Sequence, residues 1–256
     1  MKTQTKTYKI LVLSDLKRRS THLLKSAISM AKIINGEVEL FHVKKASEVV
    51  ETENQLSAMR SINAEFVKAE NKIKKLVDSI SSEYKINIGY DFSFGNLKEE
   101  ISVQIKNVQP DLVIVGKRKT KPLSLIGDQI TQHVLKQYKG AVLIAAAETA
   151  LEPNTPISLG FLNDTNEHLN VDFADDLIAH SQQPLKSFKI IDSSKLQEKN
   201  STPSHPKKIE YVFEQSDSVL KNLSRYLSKN NVDLLCINRE NSDAINKLNV
   251  SLLVAK

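Results

Sequence analysis

A chain of 256 residues is long enough for one large domain or two of ordinary size. Hydrophobic residues (40%) and charged residues (26%) stand in the proportions of a soluble globular protein that buries a sizeable core. The net charge of +6 permits contact with phosphates or other anions, but the lysines are scattered and there is no Trp, unlike the clustered cations and interleaved rings of a nucleic-acid module. No nucleic-acid partner is expected. The single cysteine, Cys236, sits in the apolar run Leu234–Ile237, where it cannot form an internal disulfide and suits a reducing compartment. The polar start Met1–Lys6 carries no signal-peptide pattern, and no apolar segment approaches a membrane span, so a cytoplasmic protein without membrane contact is expected.

In chain order, Ile10–Leu13 is apolar on both faces and predicts a fully buried strand ended by Ser14-Asp15. Ser20 or Thr21 then caps a helix with Leu23, Leu24, Ala27, Ile28, Ala31 and Ile34 at helical spacing, and Gly36 is expected to stop it. Val38–Val43 predicts a second strand. A long helix from Ser57 to Ser82 follows, with Met59, Ile62, Phe66, Ile73, Val77 and Ile80 on its core side and a Lys- and Glu-rich opposite face. Alternation from Ile86 to Phe94 predicts a strand, and Gly95-Asn96 opens a helix through Val108 that Pro110-Asp111 breaks. Leu112–Val115 is a further buried strand, followed by a basic loop bounded by Gly116 and Gly127, a helix from Asp128 to Tyr138 and a strand from Ala141 to Ala147. Strands alternating with helical crossovers argue for a parallel sheet covered on both faces.

Glu152–Pro156 reads as a turn-rich linker, after which the pattern restarts. Ile157–Leu162 predicts a strand whose end, Asn163-Asp164, echoes Ser14-Asp15, and a helix carrying Leu169, Phe173, Leu177 and Ile178 follows. Strands at Phe188–Ile191 and Ile209–Phe213 flank a polar stretch from Ser193 to Lys208, read as a loop in place of the long second helix. A helix carrying Val219, Leu220, Leu223 and Leu227 comes next. Val108–Ile114 then aligns with Asn230–Ile237, Ala141–Ala145 aligns with Val250–Ala255, and the last helix shrinks to Ser242–Lys247. The fold class expected is α/β with two tandem doubly wound domains, residues 1–150 and a degenerate copy at 151–256.

Four segments, Lys9–Asp15, Glu39–Val43, Pro110–Gly116 followed by Ile126-Gly127 and Val134-Leu135, and Gly140–Ile144, resemble the universal stress protein family in order and spacing. The C-terminal half resembles the family in outline, so the tandem form is indicated. The resemblance implies two five-stranded parallel sheets of the adenine-nucleotide α-hydrolase type, with the ligand at the carboxyl ends of the strands, where open α/β sheets bind ligands in general, and only the N-terminal half keeps a recognisable ligand loop. It also implies antiparallel pairing of the two last strands within one chain, Val142–Ala146 against Ser251–Val254. Such an intrachain pseudo-dimer hides two sheet edges. Further homodimerisation and a protein partner are left open.

In nucleotide-binding relatives an aspartate after the first strand and the end of the second strand hold adenosine, and a loop of the form Gly-x-x-Gly, nine residues, Gly-Ser/Thr wraps the phosphates. The resemblance therefore assigns a ligand such as ATP or AMP, or another small phosphorylated molecule, to Leu13, Ser14, Asp15, Val43, Gly116, Lys117, Lys119, Gly127, Asp128 and Gln129. Lys119 occupies the second glycine, Gly127-Asp128 stands where Gly-Ser/Thr belongs, and the spacer is two residues short. A Cβ at Lys119 crowds an approaching anion, and the Asp128 carboxylate competes for helix N–H groups that would receive phosphate. Lys117, Arg118, Lys119 and Lys121 oppose this with positive charge. The loop is thus an anion cradle or a solvated surface loop in a relative acting as an interaction scaffold.

No enzyme is expected. Gly116-Lys117 lacks the other residues of a Walker A loop, no Gly-x-Ser-x-Gly elbow occurs, and Ser14–Ser20 does not match the Ser-Gly-Gly-x-Asp-Ser loop of ATP-pyrophosphatases. His42 lies in an apolar strand and reads as a core or rim histidine. His22, His133, His168, His180 and His205 show no ligand-like pairing, so no metal is expected. Asp15 either contacts a ligand or caps its own turn, and Asp164 reads as structural.

Overall fold

The computed structural model describes residues 6–44, 55–117, 129–163, 169–192 and 208–255. Their strands form one ten-stranded sheet in the order β3-β2-β1-β4-β5-β10-β9-β6-β7-β8. The first half contributes β1 (Tyr8–Leu13), α1 (Ser20–Ile34), β2 (Gly36–Lys44), α2 (Gln55–Tyr84), β3 (Ile88–Phe94), α3 (Leu97–Val108), β4 (Leu112–Gly116), α4 (Gln129–Gln137) and β5 (Ala141–Ala145). The second contributes β6 (Leu159–Leu162), α5 (Ala174–Ala179), β7 (Leu185–Ile191), β8 (Lys208–Glu214), α6 (Val219–Lys229), β9 (Leu234–Asn238), α7 (Ser242–Lys247) and β10 (Ser251–Ala255). Within each half every strand pair is parallel. The halves join antiparallel through β5 and β10, with Val142, Leu143 and Ile144 opposite Val254, Leu253 and Leu252.

The central strands are apolar on both faces because both faces are covered. Ile10 and Val12 point into a core shared with α1, α2 and α5; Leu11 and Leu13 point into a second core with residues of α3, α4, α6 and α7. Leu252 and Leu253 send one fully buried side chain into each. The linker is held along α1: Leu151 N–H donates to Ser26 Oγ at 3.0 Å, and Lys32 Nζ donates to Asn154 Oδ1 at 2.9 Å.

Three expectations need correction. Asn35, not Gly36, ends α1, taking the left-handed conformation at φ 53° while its N–H donates to Ala31 O. Gly36 instead opens β2, where a Cβ would meet Ile10 Cδ1 at 2.5 Å; it is needed for close strand packing. The apolar stripe of α2 does not face the core along its whole length. Ala69, Ile73, Val77 and Ile80 are buried, but Ile62 and Phe66 are 39% and 45% exposed. Thirty helical residues span about 45 Å, more than the strands beneath can cover. The first turns overhang the sheet edge, where Phe66 packs on Phe92 at 4.6 Å between ring centroids. The side chain of Met59 lies outside the described residues. The helix in the second half is also shorter than expected, starting at Ala174 and leaving Leu169 outside it. The stretch from Ser193 to residue 207 lies outside the described residues.

The duplication is visible in backbone geometry. Before β4, Asp111 Oδ2 accepts from Lys9 N–H at 2.8 Å and Asp111 N–H donates to Lys9 O at 2.9 Å. Before β9, Asp233 Oδ2 accepts from Ser158 N–H at 2.8 Å and Asp233 N–H donates to Ser158 O at 3.0 Å. Each aspartate ties the start of one strand to the start of its parallel neighbour, satisfying terminal backbone groups that parallel pairing leaves open. The opposite ends match too: Ser14 N–H donates to Phe41 O at 3.0 Å, and Asn163 N–H donates to Phe188 O at 2.7 Å.

Candidate functional site

The chain leaves β1 in one direction to build β2 and β3, then returns on the other side of β1 as β4. The crevice over the carboxyl ends of β1 and β4 is therefore the topological switch point of the first half. Leu13 lies opposite Val115 in the ladder, so Ser14-Asp15 and Gly116-Lys117 leave the sheet side by side.

The Ser14–Ser20 turn is closed by its own side chains. Ser14 Oγ accepts from Leu16 N–H at 3.1 Å and donates to, or accepts from, Ser20 Oγ at 2.8 Å, while Leu16 takes φ 53°. Asp15 Oδ1 accepts from Lys17 N–H at 3.1 Å, so one carboxylate oxygen shapes the turn while the residue stays exposed at the mouth. His42 secures the same turn from β2. Its Nδ1 lies 2.8 Å from Ser14 O, and a carbonyl can only accept, so Nδ1 carries the proton. Burial pushes the His42 imidazole below its ordinary pKa, keeping it neutral at pH 7.

Leu13 and Val43 are buried in the α3–α4 core, which leaves only their backbone to meet a ligand. Gly116 is different. A Cβ there would sit 3.8 Å from Leu23 Cδ1 and 3.9 Å from Leu23 Cδ2, ordinary van der Waals contact, and its φ is not positive. Among the described residues nothing requires a glycine at this position. Gln129 opens α4 and is exposed. Lys119, Gly127 and Asp128 lie outside the described residues.

Lys117 is carried away from the mouth. Its N–H donates to Ala145 O at 2.8 Å, and its ammonium crosses to the second half, donating to Ile245 O at 2.7 Å and to Leu248 O. Burial there pushes its pKa down to about 8. Arg239 makes the reciprocal contact: it follows β9 as Lys117 follows β4, and its guanidinium donates to Leu135 O at 2.7 Å and to Gly140 O. Each cation thus reaches the carboxyl end of the other half's last helix, where orphan carbonyls favour positive charge. Neither half of this crossed tie is legible from local pattern.

Among the described residues, Lys17, Arg18 and Arg19, immediately before α1, bring positive charge to the mouth. Lys17 and Arg18 are exposed, and Arg19 Nη2 reaches Glu148 Oε1 at 3.4 Å. No acidic residue occupies the first turn of α1, so its positive end is not neutralised locally. The sequence signal for this patch is the Lys-Arg-Arg run directly after Ser14-Asp15. The matching mouth of the second half is a cavity of about 550 Å³ lined by Asn163, Asp217, Glu240, Asp243 and Lys247, opposite in electrostatic character. Another cavity, about 620 Å³, lies where the halves join beside Lys117 and Asn249. Among the described residues no group of three or more His, Cys, Asp or Glu is placed to hold a metal, and no helix is long and apolar enough to cross a membrane.

None of the curated protein sequences matches the chain. Solved structures share its architecture. A universal stress protein from Archaeoglobus fulgidus superposes with a TM-score of 0.69 at 14% identity, covering 99% of both chains. A functionally unknown protein from Pseudomonas aeruginosa superposes at 0.59, also at 14% identity, over 97% of this chain and 92% of its own. The first likeness runs through both halves, so the duplicated architecture is shared at the level of fold. The sequence profile of the universal stress protein family matches residues 7–146, the whole span from β1 to β5. The chain belongs to the universal stress protein family.

Proposed function

We propose that the crevice over β1 and β4 binds a nucleotide or another small phosphorylated molecule, and that the protein acts as a ligand-responsive stress or regulatory protein without turnover. The observation that carries this is Gly116: among the described residues its neighbours leave room for a Cβ, so the bare backbone suits the close approach of a ligand. Asp15, exposed and anchored through Lys17 N–H, is the acceptor for a sugar or base. Lys17, Arg18 and the uncapped start of α1 supply positive potential for phosphate. The best described candidates are ATP and AMP, with no metal needed by the residues at hand.

A ligand that binds only the folded state raises the melting midpoint, by an amount equivalent to about 2.7 kcal/mol at a hundred times its Kd. Thermal melts with ATP and AMP should therefore shift upward, and Asp15→Ala should lose the shift. Gly116→Ala is the sharper probe, since the described neighbours accept the methyl: it should keep the unliganded midpoint and lose the ligand response. Sustained phosphate release abolished by Asp15→Ala would replace this proposal with a hydrolase. A second reading, a scaffold without a nucleotide, is favoured by the diversion of Lys117 to the junction of the halves. An unshifted midpoint at millimolar nucleotide would select it.

A further inference from the structure

Among the described residues the ten-stranded sheet ends in two edge strands, β3 and β8, and sheet edges are templates for further pairing. They are protected differently. On β3, Gly95 N–H donates inward to Lys44 O, so the even-numbered residues turn their N–H outward. One of these, Phe92 N–H, is taken by Asp91 Oδ1 at 2.8 Å. Antiparallel self-pairing of β3 centred on Asp91 would also set two Asp91 carboxylates face to face. On β8, Gln215 N–H donates inward to Ile191 O at 2.9 Å, so Lys208, Glu210, Val212 and Glu214 present their backbone groups outward. This strand exposes Ile209 (43%) and Val212 (49%).

Those outward residues pair best in one antiparallel register. Centred on Tyr211, it places Lys208 of one copy opposite Glu214 of the other, and Glu210 opposite Val212, in hydrogen-bonded positions. On the other face Ile209 meets Phe213 and Tyr211 meets Tyr211, extending the ring cluster of Phe188, Tyr211, Phe213 and Tyr226. Glu210 is already paired with Lys189 at 2.5 Å, so its charge is compensated beside Val212. Centring on Val212 instead would oppose Glu210 to Glu214, and centring on Glu210 would oppose it to itself, both unfavourable.

We propose that β8 is a homodimer interface, in which two copies of this chain join their sheets edge to edge about a two-fold axis through Tyr211. The same strand serves both copies, so the contact closes and leaves only the protected β3 edges outside. Seven residues a side make a small interface, so the dimer is concentration-dependent.

Sedimentation across a concentration series, with the full chain, tests it. Wild type should show a monomer–dimer equilibrium, and Lys208→Glu should weaken it about tenfold or more, because both symmetric ion pairs become repulsive. Adding Glu214→Lys should restore it. Val212→Pro removes only an outward N–H, which the chain's own sheet does not use, so it should abolish the dimer and keep the monomer's melting midpoint. Wild type that stays monomeric at about 0.5 mM, equivalent to an association weaker than about 4.5 kcal/mol, overturns the proposal. A dimer that survives Val212→Pro overturns it too, as does a charge swap that fails to restore what Lys208→Glu removed.

Discussion

The two halves repeat one frame and differ at their mouths. Asp111 and Asp233 clamp their strands through the same pair of hydrogen bonds, and Ser14 and Asn163 leave their strands by the same backbone contact. Above that frame the first half has Gly116 and a cationic Lys17–Arg19 border, while the second has Asn238 in the glycine's place and a cavity lined by Asp217, Glu240 and Asp243. Backbone-to-carboxylate geometry is what the fold needs, and it persists. Loop residues are what a ligand needs, and they have diverged.

The largest effect is expected at the seam between the halves. Leu253 of β10 is fully buried opposite Leu143 of β5. Leu253→Ala should cost about 2–5 kcal/mol through lost burial and a residual cavity. Because the sheet is continuous across the seam, urea unfolding should remain a single transition at a lower midpoint. Separation into two transitions would show that the halves are independent folding units joined only loosely. Next in size is Arg239→Met, which leaves Leu135 O and Gly140 O without their donor and should cost about 1–3 kcal/mol. A change of a few tenths would mean that the crossed tie is geometric and not energetic.

The seam also marks the boundary of what residue patterns reveal. Apolar runs such as Ile10–Leu13 and Leu112–Val115 announce strands covered on both faces, and Asn96, whose side chain accepts from Lys98 N–H at 3.0 Å, announces the start of α3. The alignment of Pro110-Asp111 with Val232-Asp233 marks the repeated clamp because it lies in a local segment of matching pattern. The overhang of α2 is not visible in the same way: periodicity reports which side of a helix is apolar, not how far the sheet beneath it extends. Lys117 is harder still. Its carbonyl partner at Ile245 lies 128 residues away, and a lysine in a basic, glycine-bounded loop carries no mark of a partner on another helix.

That lysine supplies the third test. At pH 7 it is protonated in both folded and unfolded chains, and the cost of holding its charge at the buried seam is fully present. Its folded pKa is about 8 against an ordinary 10.5, so as pH rises through 8 the native state releases the proton first. Stability relative to Lys117→Met should therefore rise between pH 8 and 10.5. The full shift corresponds to about 3 kcal/mol, and partial access of solvent from the neighbouring cavity reduces this to about 1–2 kcal/mol. Urea midpoints of the two proteins at pH 7, 8, 9 and 10 measure it. Parallel curves would place the ammonium in water and dissolve the distinction between Lys117 and the cations at the mouth.

The smallest effect concerns the first half alone, because the second has Lys189 where His42 stands: Phe41 and Phe188 accept equivalent backbone bonds, and the residue after each is His42 and Lys189. His42 holds Ser14 O with a neutral ring, and burial disfavours its charged form. A histidine whose folded pKa is depressed binds protons more readily when unfolded, so stability is present above its ordinary value of 6.5 and is lost as pH falls through it. His42→Gln keeps an N–H donor and cannot titrate. Between pH 7.5 and 5.5 the wild type should therefore lose stability relative to this variant, and nucleotide-induced shifts in its melting midpoint should shrink in step as the Ser14-Asp15 turn loosens. If the two proteins respond identically to acid, the clamp on Ser14 contributes nothing that titrates, and the side-chain bonds of the Ser14–Ser20 turn itself set the shape of the mouth.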